Sequence, residues 1–363
     1  MSSSESKFDV QQLALPHVVR LHAYAPGLQP SEPGWIKLNT NENPYPPSPK
    51  ALAAMALAAR EVNRYPDGGC FLLRRILAKK LNVNSDQLIF GNGSDEIIVL
   101  AVKAFAAKGD EVIIAKPSFL VYEIASILSG ARLHQVPLKS FRYDLQAMKA
   151  KVNRRTKIIF IGNPDNPAGT YITQRQAEDF LTGVPKSTLV FFDEAYFEYV
   201  QAKDYPDTLG LMKKYPNVMT SRTFSKIYGL AGLRIGYGIA CREITCILNR
   251  LREPFNVNSM AQAAAVAALG DKAYYRNVAK DVNEQRQFLC RSLERMGIAF
   301  EESFTNFILV HVGGDSSQAA GRLLKKGVII RDMAVWGLKG YIRVTIGSAS
   351  ENKRFIKTLK EIL

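Results

Sequence analysis

The chain contains the stretch VMTSRTFSKIYGLAGLR at residues 218–234. In it, a β-like run is followed by a turn in which Lys226 is preceded by small residues that carry hydroxyl groups. The glycines and the alanine that follow permit close approach of the backbone, and the stretch ends at Arg234. A lysine that forms a Schiff base needs a site that lowers its pKa. Thr223, Ser225 and Arg234 are all able to donate hydrogen bonds to one phosphate. Taken alone, the Ser-Lys pair is better explained by a solvated surface lysine.

The order of a short β-rich run followed by a helix-like segment recurs along the chain. The β-rich runs lie at 87–90, 111–115, 157–161, 188–193, 218–221 and 234–240, and helix-like segments lie at 95–107, 119–129 and 173–181. This alternation predicts an α/β fold with a largely parallel sheet. Several of the runs end in polar, Gly-containing turns, where open α/β sheets bind ligands.

The C-terminal part has a different pattern, which predicts a smaller α+β lobe. One long helix is expected at 259–296, and β-like runs at 306–312, 327–330 and 340–346 surround a helix at 317–326. The expected division is an N-terminal arm at 1–40 that joins the small domain, a large domain at 41–253 and a small domain at 254–363.

Composition places the chain among ordinary soluble proteins. It has 363 residues, of which 47% are hydrophobic and 22% charged. The apolar runs are too short to span a bilayer, and the first residues, MSSSESKFDV, lack the apolar core of a secretory signal, so a cytoplasmic protein is expected. The four cysteines and four histidines form no metal-binding pattern, so no metal is expected.

The charge of +15, from 48 basic and 33 acidic residues, raises the alternative of a nucleic-acid-binding protein. No helix-turn-helix, zinc-finger or aromatic RNA-binding motif accompanies that charge. We therefore expect no nucleic-acid partner.

Two motifs follow β-rich runs and carry polar side chains. In FFDEAY (191–196), Asp193 stands at the carboxyl end of its run, where a buried carboxylate can keep a pyridine nitrogen protonated. The same residue is compatible with a helix cap or a magnesium ligand. In NPDNPAG (163–169), Asn166 can offer its amide to a ring hydroxyl, although a turn without function is the simpler explanation.

The motif GNGSDE (91–96) links a β-rich run to a helix. The free backbone N–H groups at that helix start form an anion site together with the helix dipole. The motif lacks the lysine of a P-loop and the third glycine of a dinucleotide fingerprint, which disfavours nucleotide binding.

Taken together, the motifs resemble those of the fold-type I pyridoxal-phosphate (PLP) aminotransferases, and most closely the class II histidinol-phosphate aminotransferase group. They follow the order of that family: YAPG (24–27), KLNTNENPYPPSP (37–49), RYPD (64–67), GNGSDE (91–96), NPDNPAG (163–169), DEAYFEY (193–199), TFSKIYGLAGLRIGY (223–237) and RVTIG (343–347). The resemblance extends from about residue 24 to the end of the chain. It implies a large domain with a mostly parallel sheet, a smaller α+β domain and PLP as cofactor.

The resemblance also implies a role for individual residues in binding the PLP ring. Lys226 would form the Schiff base and shuttle the proton, and Asp193 would pair with the pyridine nitrogen. Tyr196 and Asn166 would hydrogen-bond the ring hydroxyl oxygen. Phe119, in PSFLVY, would stack on the ring, although an aromatic residue on a helix belongs more often to the core.

The PLP phosphate would be held by both subunits of a homodimer. The groups expected to bind it are the backbone amides of Ser94 and Asp95, the side chains of Thr223, Ser225 and Arg234, and Tyr65 of the neighbouring subunit. The resemblance thus implies active sites that are shared between two subunits.

The implied reaction transfers an amino group from L-histidinol phosphate to 2-oxoglutarate, giving imidazole-acetol phosphate and L-glutamate, in histidine biosynthesis. Tyr24, Asn166, Arg331 and Arg343 are the implied substrate-binding residues. An aromatic aminotransferase and a threonine-phosphate decarboxylase are the alternatives within the family.

The chain departs from the family pattern at three places. Two of them, Pro46-Pro47 and Ala168, replace a usual Gly and Thr, and neither touches a proposed catalytic atom. The third is Trp336, which lies between the two arginines expected to bind substrate and bears on substrate preference.

Overall fold

The structure is a computed structural model that describes residues 13–19, 21 and 27–363. Tyr24 is outside these ranges. In chain order the strands are β1 Ile36–Leu38, β2 Leu88–Gly91, β3 Glu111–Lys116, β4 Arg132–Pro137, β5 Thr156–Gly162, β6 Leu189–Asp193, β7 Val218–Thr223, β8 Gly236–Ile239, β9 Phe307–His311, β10 Val328–Asp332 and β11 Tyr341–Thr345. The α-helices are α1 Pro16–Val19, α2 Pro49–Ala58, α3 Phe71–Leu81, α4 Ser94–Phe105, α5 Leu120–Leu128, α6 Leu145–Lys151, α7 Gln174–Thr182, α8 Thr208–Lys214, α9 Arg242–Asn249, α10 Ser259–Gly270, α11 Lys272–Arg295, α12 Ser316–Lys325 and α13 Ala349–Ile362.

The larger sheet has the strand order β2-β8-β7-β6-β5-β3-β4, and all of its pairs are parallel except the two that involve β8. This confirms the predicted α/β fold with a mostly parallel sheet. Its central strands are buried on both faces. Ile158 and Phe191 join the core beside α4 and α5, whereas their neighbours Ile159 and Phe192 join the core on the opposite face. Continuous apolar runs are what such doubly covered parallel strands require.

The register of this sheet determines where its polar residues lie. Gly162 at the end of β5 is opposite Asp193 at the end of β6, and Asp193 is opposite Ser221 in β7. Because parallel strands end at the same edge, the polar turns after β5, β6 and β7 come together there.

The smaller sheet has the order β1-β10-β11-β9. β1 joins it from the N-terminal side of the chain by pairing in parallel with β10, and β9, β10 and β11 pair antiparallel. α12 packs on β10, and α13 packs on α11 and α12. Two strands were not predicted, since β1 has only three residues and β4 carries exposed polar side chains at an edge of the large sheet.

The prediction of one long helix at 259–296 was wrong. α10 ends at Gly270 and α11 begins at Lys272, because Asp271 has the non-helical dihedral angles φ −101° and ψ 54°. Glycine and aspartate are both poor formers of helix interiors. α10 packs against α2 and α3.

The proposed boundary after Glu253 stays a prediction. In the described residues, no helix has both the length and the apolar character to cross a membrane.

Candidate active site

A cavity of about 660 Å³ opens at the carboxyl edge of the large sheet and reaches the β10–β11 pair of the small sheet. Twelve of the fourteen residues proposed from the sequence line it: Ser94, Asp95, Phe119, Asn166, Asp193, Tyr196, Thr223, Ser225, Lys226, Arg234, Arg331 and Arg343. Of the other two, Tyr65 lies elsewhere and Tyr24 falls outside the described residues.

Lys226 follows β7 and is held against the loop after β1. Its Nζ donates a hydrogen bond to the carbonyl oxygen of Asn41 at 3.1 Å. Asn41 has a left-handed backbone, φ 56°, and Asn306 Nδ2 donates to the same carbonyl oxygen at 3.0 Å. Burial, together with the nearby Arg343 cation, lowers the pKa of Lys226 to about 8. A substantial fraction of this amine is therefore neutral near pH 8, as a nucleophile or a base requires.

Asp193 is a buried carboxylate whose two oxygens are both hydrogen-bonded. Tyr122 Oη donates to it at 2.7 Å and Ser221 Oγ donates at 3.0 Å. The Tyr122 ring stacks on Phe160 at 4.7 Å, which fixes the donor in place. Burial raises the pKa of Asp193 to about 6, while these two hydrogen bonds oppose the shift. The carboxylate is thus mostly ionised at neutral pH and can stabilise a cationic ring nitrogen.

Tyr196 is buried beside Lys226. Asn41 Nδ2 donates to its hydroxyl at 2.9 Å, and Lys226 Nζ lies 5.5 Å from the centre of its ring. Burial raises the pKa of Tyr196 to about 12. The phenol stays protonated at neutral pH, so its own O–H remains a hydrogen-bond donor.

Phe119 lines the cavity immediately before α5, as the residue that precedes the helix and not as part of it. Its ring meets Tyr122 edge to face, with centroids 5.7 Å apart and planes at 83°. This contact connects Phe119 to the residue that donates to Asp193.

Hydroxyl and guanidinium groups surround the start of α4. Thr223 Oγ1 donates to Ser225 Oγ at 3.0 Å, and Arg234 Nη1 donates to the same oxygen at 3.4 Å. Arg234 Nη2 is 3.2 Å from Asp95 Oδ2 in the first turn of α4. These donors and the N-terminal amides of the helix form a suitable environment for a phosphate monoester.

Two glycines allow that environment to assemble. Gly93 has φ +80°, and a Cβ there would lie 2.4 Å from Arg234 Nη2. A Cβ on Gly236 would lie 2.5 Å from the backbone nitrogen of Ser94. Any side chain at either position would enter the space in which Arg234 and the helix amides converge. The space beside Arg234 and the helix amides fits the phosphate of PLP. The buried Asp193 fits its ring nitrogen, and Lys226, with its lowered pKa, fits its aldehyde.

The two arginines of the small sheet lie opposite each other in the β10–β11 pair. Arg343 donates to Asn166 Oδ1 at 2.5 Å and to the Asn39 carbonyl oxygen at 3.2 Å. The Arg331 side chain makes neither a hydrogen bond nor an ion pair with the other described residues. Both guanidinium groups line the cavity, so this wall can bind a substrate anion.

Tyr65 lies on the surface and not at the cavity. Its side chain is 83% exposed and stacks on the Phe255 ring with centroids 4.6 Å apart. Exposed apolar side chains also occur nearby in sequence, at Leu57, Val62 and Phe71. Within one subunit, therefore, Tyr65 does not take part in the site.

Sequence reasoning missed two residues that organise the cavity. Asn41 contacts both Lys226 and Tyr196. The sequence motif that contains it, NENP, gave no indication of which of its residues would contact the site. Tyr122 donates a hydrogen bond to Asp193. It could have been found from its position three residues after Phe119 in a predicted helix, because residues three apart lie on the same helix face.

Comparison with known proteins agrees with this geometry. The family "Aminotransferase class I and II" matches residues 33–359. The chain is 46% identical over 329 residues to the histidinol-phosphate aminotransferase of Moorella thermoacetica, covering 90% of this chain and 85% of that one. It is 44% identical over 360 residues to the histidinol-phosphate aminotransferase of Anaeromyxobacter sp., covering 97% and 99%.

Solved structures agree as well. The histidinol-phosphate aminotransferase of Sinorhizobium meliloti, in complex with pyridoxal-5'-phosphate, superposes with a TM-score of 0.87 at 28% identity, covering 99% of this chain and 100% of that one. The match extends over both sheets and the cavity between them. From its sequence, its fold and the residues around its cavity, the chain belongs to the PLP-dependent class I and II aminotransferase family.

Proposed function

We propose that this chain is a transaminase that exchanges an amino group between L-histidinol phosphate and 2-oxoglutarate, giving imidazole-acetol phosphate and L-glutamate, in histidine biosynthesis. The observation that carries the proposal is the juxtaposition, in one cavity, of a lysine with a lowered pKa and two opposed arginines. The lysine suits amine chemistry, and the two arginines suit an anionic substrate. The 41–46% identity to proteins named for this reaction supports the same assignment.

The cofactor would be held at both of its ends. Ser94, Asp95, Thr223, Ser225 and Arg234 would hold its phosphate. Asp193 would hold the ring nitrogen, Tyr196 and Asn166 the ring hydroxyl, and Phe119 one face of the ring. When bound, PLP supplies an electrophilic carbon and an electron-withdrawing ring that can carry an amino group between two substrates.

Lys226 would act as the proton carrier. Its lowered pKa would let the neutral amine accept a proton from the substrate carbon that bears the amino group and deliver that proton to the cofactor. The Asn41 carbonyl oxygen restrains Nζ at 3.1 Å. Tyr196, protonated because its pKa is raised to about 12, would donate a hydrogen bond and not compete for that proton.

The arginine pair would let one cavity bind two different substrates. Arg343, restrained by Asn166 and the Asn39 backbone, would bind the anionic group of either amino donor. Arg331 would add a second cationic contact, which would stabilise a bound phosphate dianion more than a bound carboxylate. Tyr24 would lie near the entry, as the family resemblance implies.

We also propose a homodimer with shared active sites. The stacked Tyr65–Phe255 pair is exposed in the single chain, and exposed Leu57, Val62 and Phe71 are close to it in sequence. Apolar exposure of this kind is common at protein–protein interfaces. The Tyr65 hydroxyl would then reach the phosphate site of the other subunit. The division into an arm at 1–40 and domains at 41–253 and 254–363, and a cytoplasmic location, stay predictions.

A screen of amino donors tests the substrate assignment. Purified enzyme loaded with PLP is mixed separately with histidinol phosphate, phenylalanine and threonine phosphate, and kcat/KM of each half-reaction is followed by the cofactor spectrum. We expect histidinol phosphate to give the highest kcat/KM. A preference for phenylalanine would indicate an aromatic aminotransferase, and release of carbon dioxide from threonine phosphate would indicate a decarboxylase. Either result would overturn the assignment.

A further inference from the structure

Trp336 is a residue of the cavity wall to which the proposed reaction gives no role. It ends a short 3₁₀ turn, Ala334–Trp336, between β10 and β11, and Gly337 reverses the chain after it with φ +80°. Its indole is 9% exposed and packs with Leu309 and Met333. The apolar part of the ring is therefore accounted for by the small cluster beneath the turn.

The polar atom of Trp336 is not accounted for. Its Nε1 is enclosed, and in the described part of the chain it finds no hydrogen-bond acceptor. The indole N–H is purely a donor, and buried tryptophans usually satisfy it. A buried donor without an acceptor is destabilising, so a tryptophan is a poor choice for a purely structural role here. A phenylalanine would pack the same cluster without that cost.

The surroundings of Trp336 indicate which acceptor would suit it. The Arg343 guanidinium lies 5.5 Å from the centre of the Trp336 ring and 5.2 Å from that of Phe307. Arg331 is the strand partner of Arg343. A donor beside the Arg343 cation favours an oxyanion and disfavours an ammonium group or a second donor.

The number of donors distinguishes a phosphate from a carboxylate. A carboxylate has two oxygens, which one arginine fork can bind in a bidentate manner. A phosphate monoester has three terminal oxygens, so an acceptor is left for a third donor. Arg331, Arg343 and Trp336 all line the cavity. Two guanidinium groups and one enclosed indole N–H therefore belong to the residues of this wall, and their number of donors matches the larger anion.

We propose that Trp336 is a specificity-determining residue, whose indole N–H donates a hydrogen bond to a phosphate oxygen of the amine substrate bound by Arg331 and Arg343. The inference rests on the proposed function, since it assumes a phosphorylated donor. It assigns to Trp336 a contact that the unphosphorylated substrate glutamate does not make.

The test compares Trp336→Phe with the matched variant Trp35→Phe. Trp35 is the other tryptophan of the chain and does not line the cavity. We expect Trp336→Phe to lower kcat/KM for histidinol phosphate roughly 10- to 100-fold, the usual effect of losing one hydrogen bond to a charged group. The value for glutamate should change by less than about threefold on the same reasoning, and Trp35→Phe should resemble the wild type for both donors. Trp336→Tyr, which retains an O–H donor, should recover part of the loss.

Equal losses for both donors in Trp336→Phe would overturn the proposal, because they would mean that the ring acts only by positioning Arg343. No loss for either donor would overturn it as well.

A second measurement separates this inference from the proposed reaction. In the Trp35→Phe holoenzyme, Trp336 is the only tryptophan, so its ¹⁵N-labelled indole N–H gives a single resonance. Adding inorganic phosphate should shift that resonance downfield, and the shift should be absent after Arg331→Ala. If histidinol phosphate proves not to be a substrate but phosphate moves the resonance, the proposed function fails and the phosphate contact stands. If histidinol phosphate is used but phosphate leaves the resonance unmoved, the function stands and the Trp336 contact is refuted.

Discussion

Arg331 and Arg343 lie directly opposite each other in the antiparallel β10–β11 pair. Side chains at opposed positions extend from the same face of a sheet, and two like charges so placed repel each other. Arg343 is hydrogen-bonded to Asn166 and the Asn39 backbone, whereas Arg331 has no such partner among the described residues. A bound dianion would relieve the repulsion, which explains why a protein would retain this pair.

Replacing each arginine with alanine should therefore have different effects. Arg343→Ala should lower kcat/KM for both histidinol phosphate and glutamate, because it removes the cation that both substrates use. The loss should correspond to about 2–5 kcal/mol of binding free energy. Arg331→Ala should lower kcat/KM more for histidinol phosphate than for glutamate or phenylalanine. Half-reaction kinetics with the three donors measure this. Equal losses in Arg331→Ala would remove that residue from the phosphate site.

Asp193→Asn should decrease turnover, on the order of 10³-fold or more, since the neutral amide cannot stabilise a protonated ring nitrogen. Single-turnover kinetics of the loaded variant measure this effect. Turnover near that of the wild type would show that another acid performs the role.

The same substitution should stabilise the apoenzyme at neutral pH. Burial raises the pKa of Asp193 from 3.8 to about 6, so between these values the folded state binds more protons than the unfolded state. The wild type therefore loses stability as the pH rises through this window, and the loss persists above it. The asparagine of Asp193→Asn does not ionise, so the variant does not lose stability in this way. Above pH 6 its free energy of unfolding should exceed that of the wild type by up to about 3 kcal/mol. Urea unfolding of both apoenzymes at pH 4 and pH 8 measures the difference, and a constant difference between the two pH values would contradict this account.

Gly93→Ala should weaken binding of the PLP phosphate. The position has φ +80°, and the new Cβ would lie 2.4 Å from Arg234 Nη2, so both the loop and the guanidinium must shift. The affinity for PLP should fall about tenfold or more, given a backbone strain of roughly 1–3 kcal/mol, while the affinity for unphosphorylated pyridoxal should change little. Gly232→Ala is the matched control, because Gly232 lines the same cavity and a Cβ there would meet nothing within 4 Å. Similar behaviour of the two variants would refute the assignment of this loop.

Mixing Tyr65→Phe and Lys226→Ala subunits should create complete sites if Tyr65 serves the neighbouring subunit. A Tyr65→Phe subunit keeps Lys226, and a Lys226→Ala subunit keeps Tyr65. In an equal mixture that exchanges subunits freely, about a quarter of the sites combine both intact residues, as follows for a symmetric dimer. PLP affinity in the mixture should exceed that of pure Tyr65→Phe enzyme, measured at limiting PLP. No gain, with subunit exchange verified, would show that the sites are not shared.

The sequence predicted most of the cavity because its motifs end consecutive parallel strands. Asp193 ends β6, Thr223 ends β7 and Ser225 follows two residues later, and parallel strands place such ends along one edge. The turns were recognisable from local composition, so their convergence followed from the fold class.

Contacts that depend on distant parts of the chain were not predictable in this way. Asn41 reaches Lys226 and Tyr196 across 185 and 155 residues, and no local pattern encodes these distances. The break at Asp271 was missed because the residues on both sides of it are mostly helix formers, rich in alanine in α10 and in arginine and glutamine in α11. Packing of α10 on α2 is a tertiary interaction that hydrophobic periodicity does not report.

The most direct test of the central claim, that Lys226 is the residue to which PLP attaches, is the location of the pyridoxyl group after borohydride reduction. Purified enzyme is loaded with PLP, reduced and digested, and the modified peptide is identified by mass spectrometry, with Lys226→Ala treated in parallel. Since burial lowers the pKa of Lys226 to about 8, its labelling should increase as the pH is raised through 8. We predict that the pyridoxyl group is on Lys226 in the wild type, and that a folded Lys226→Ala enzyme carries none. Recovery of the group on any other lysine of the wild-type enzyme would contradict the account.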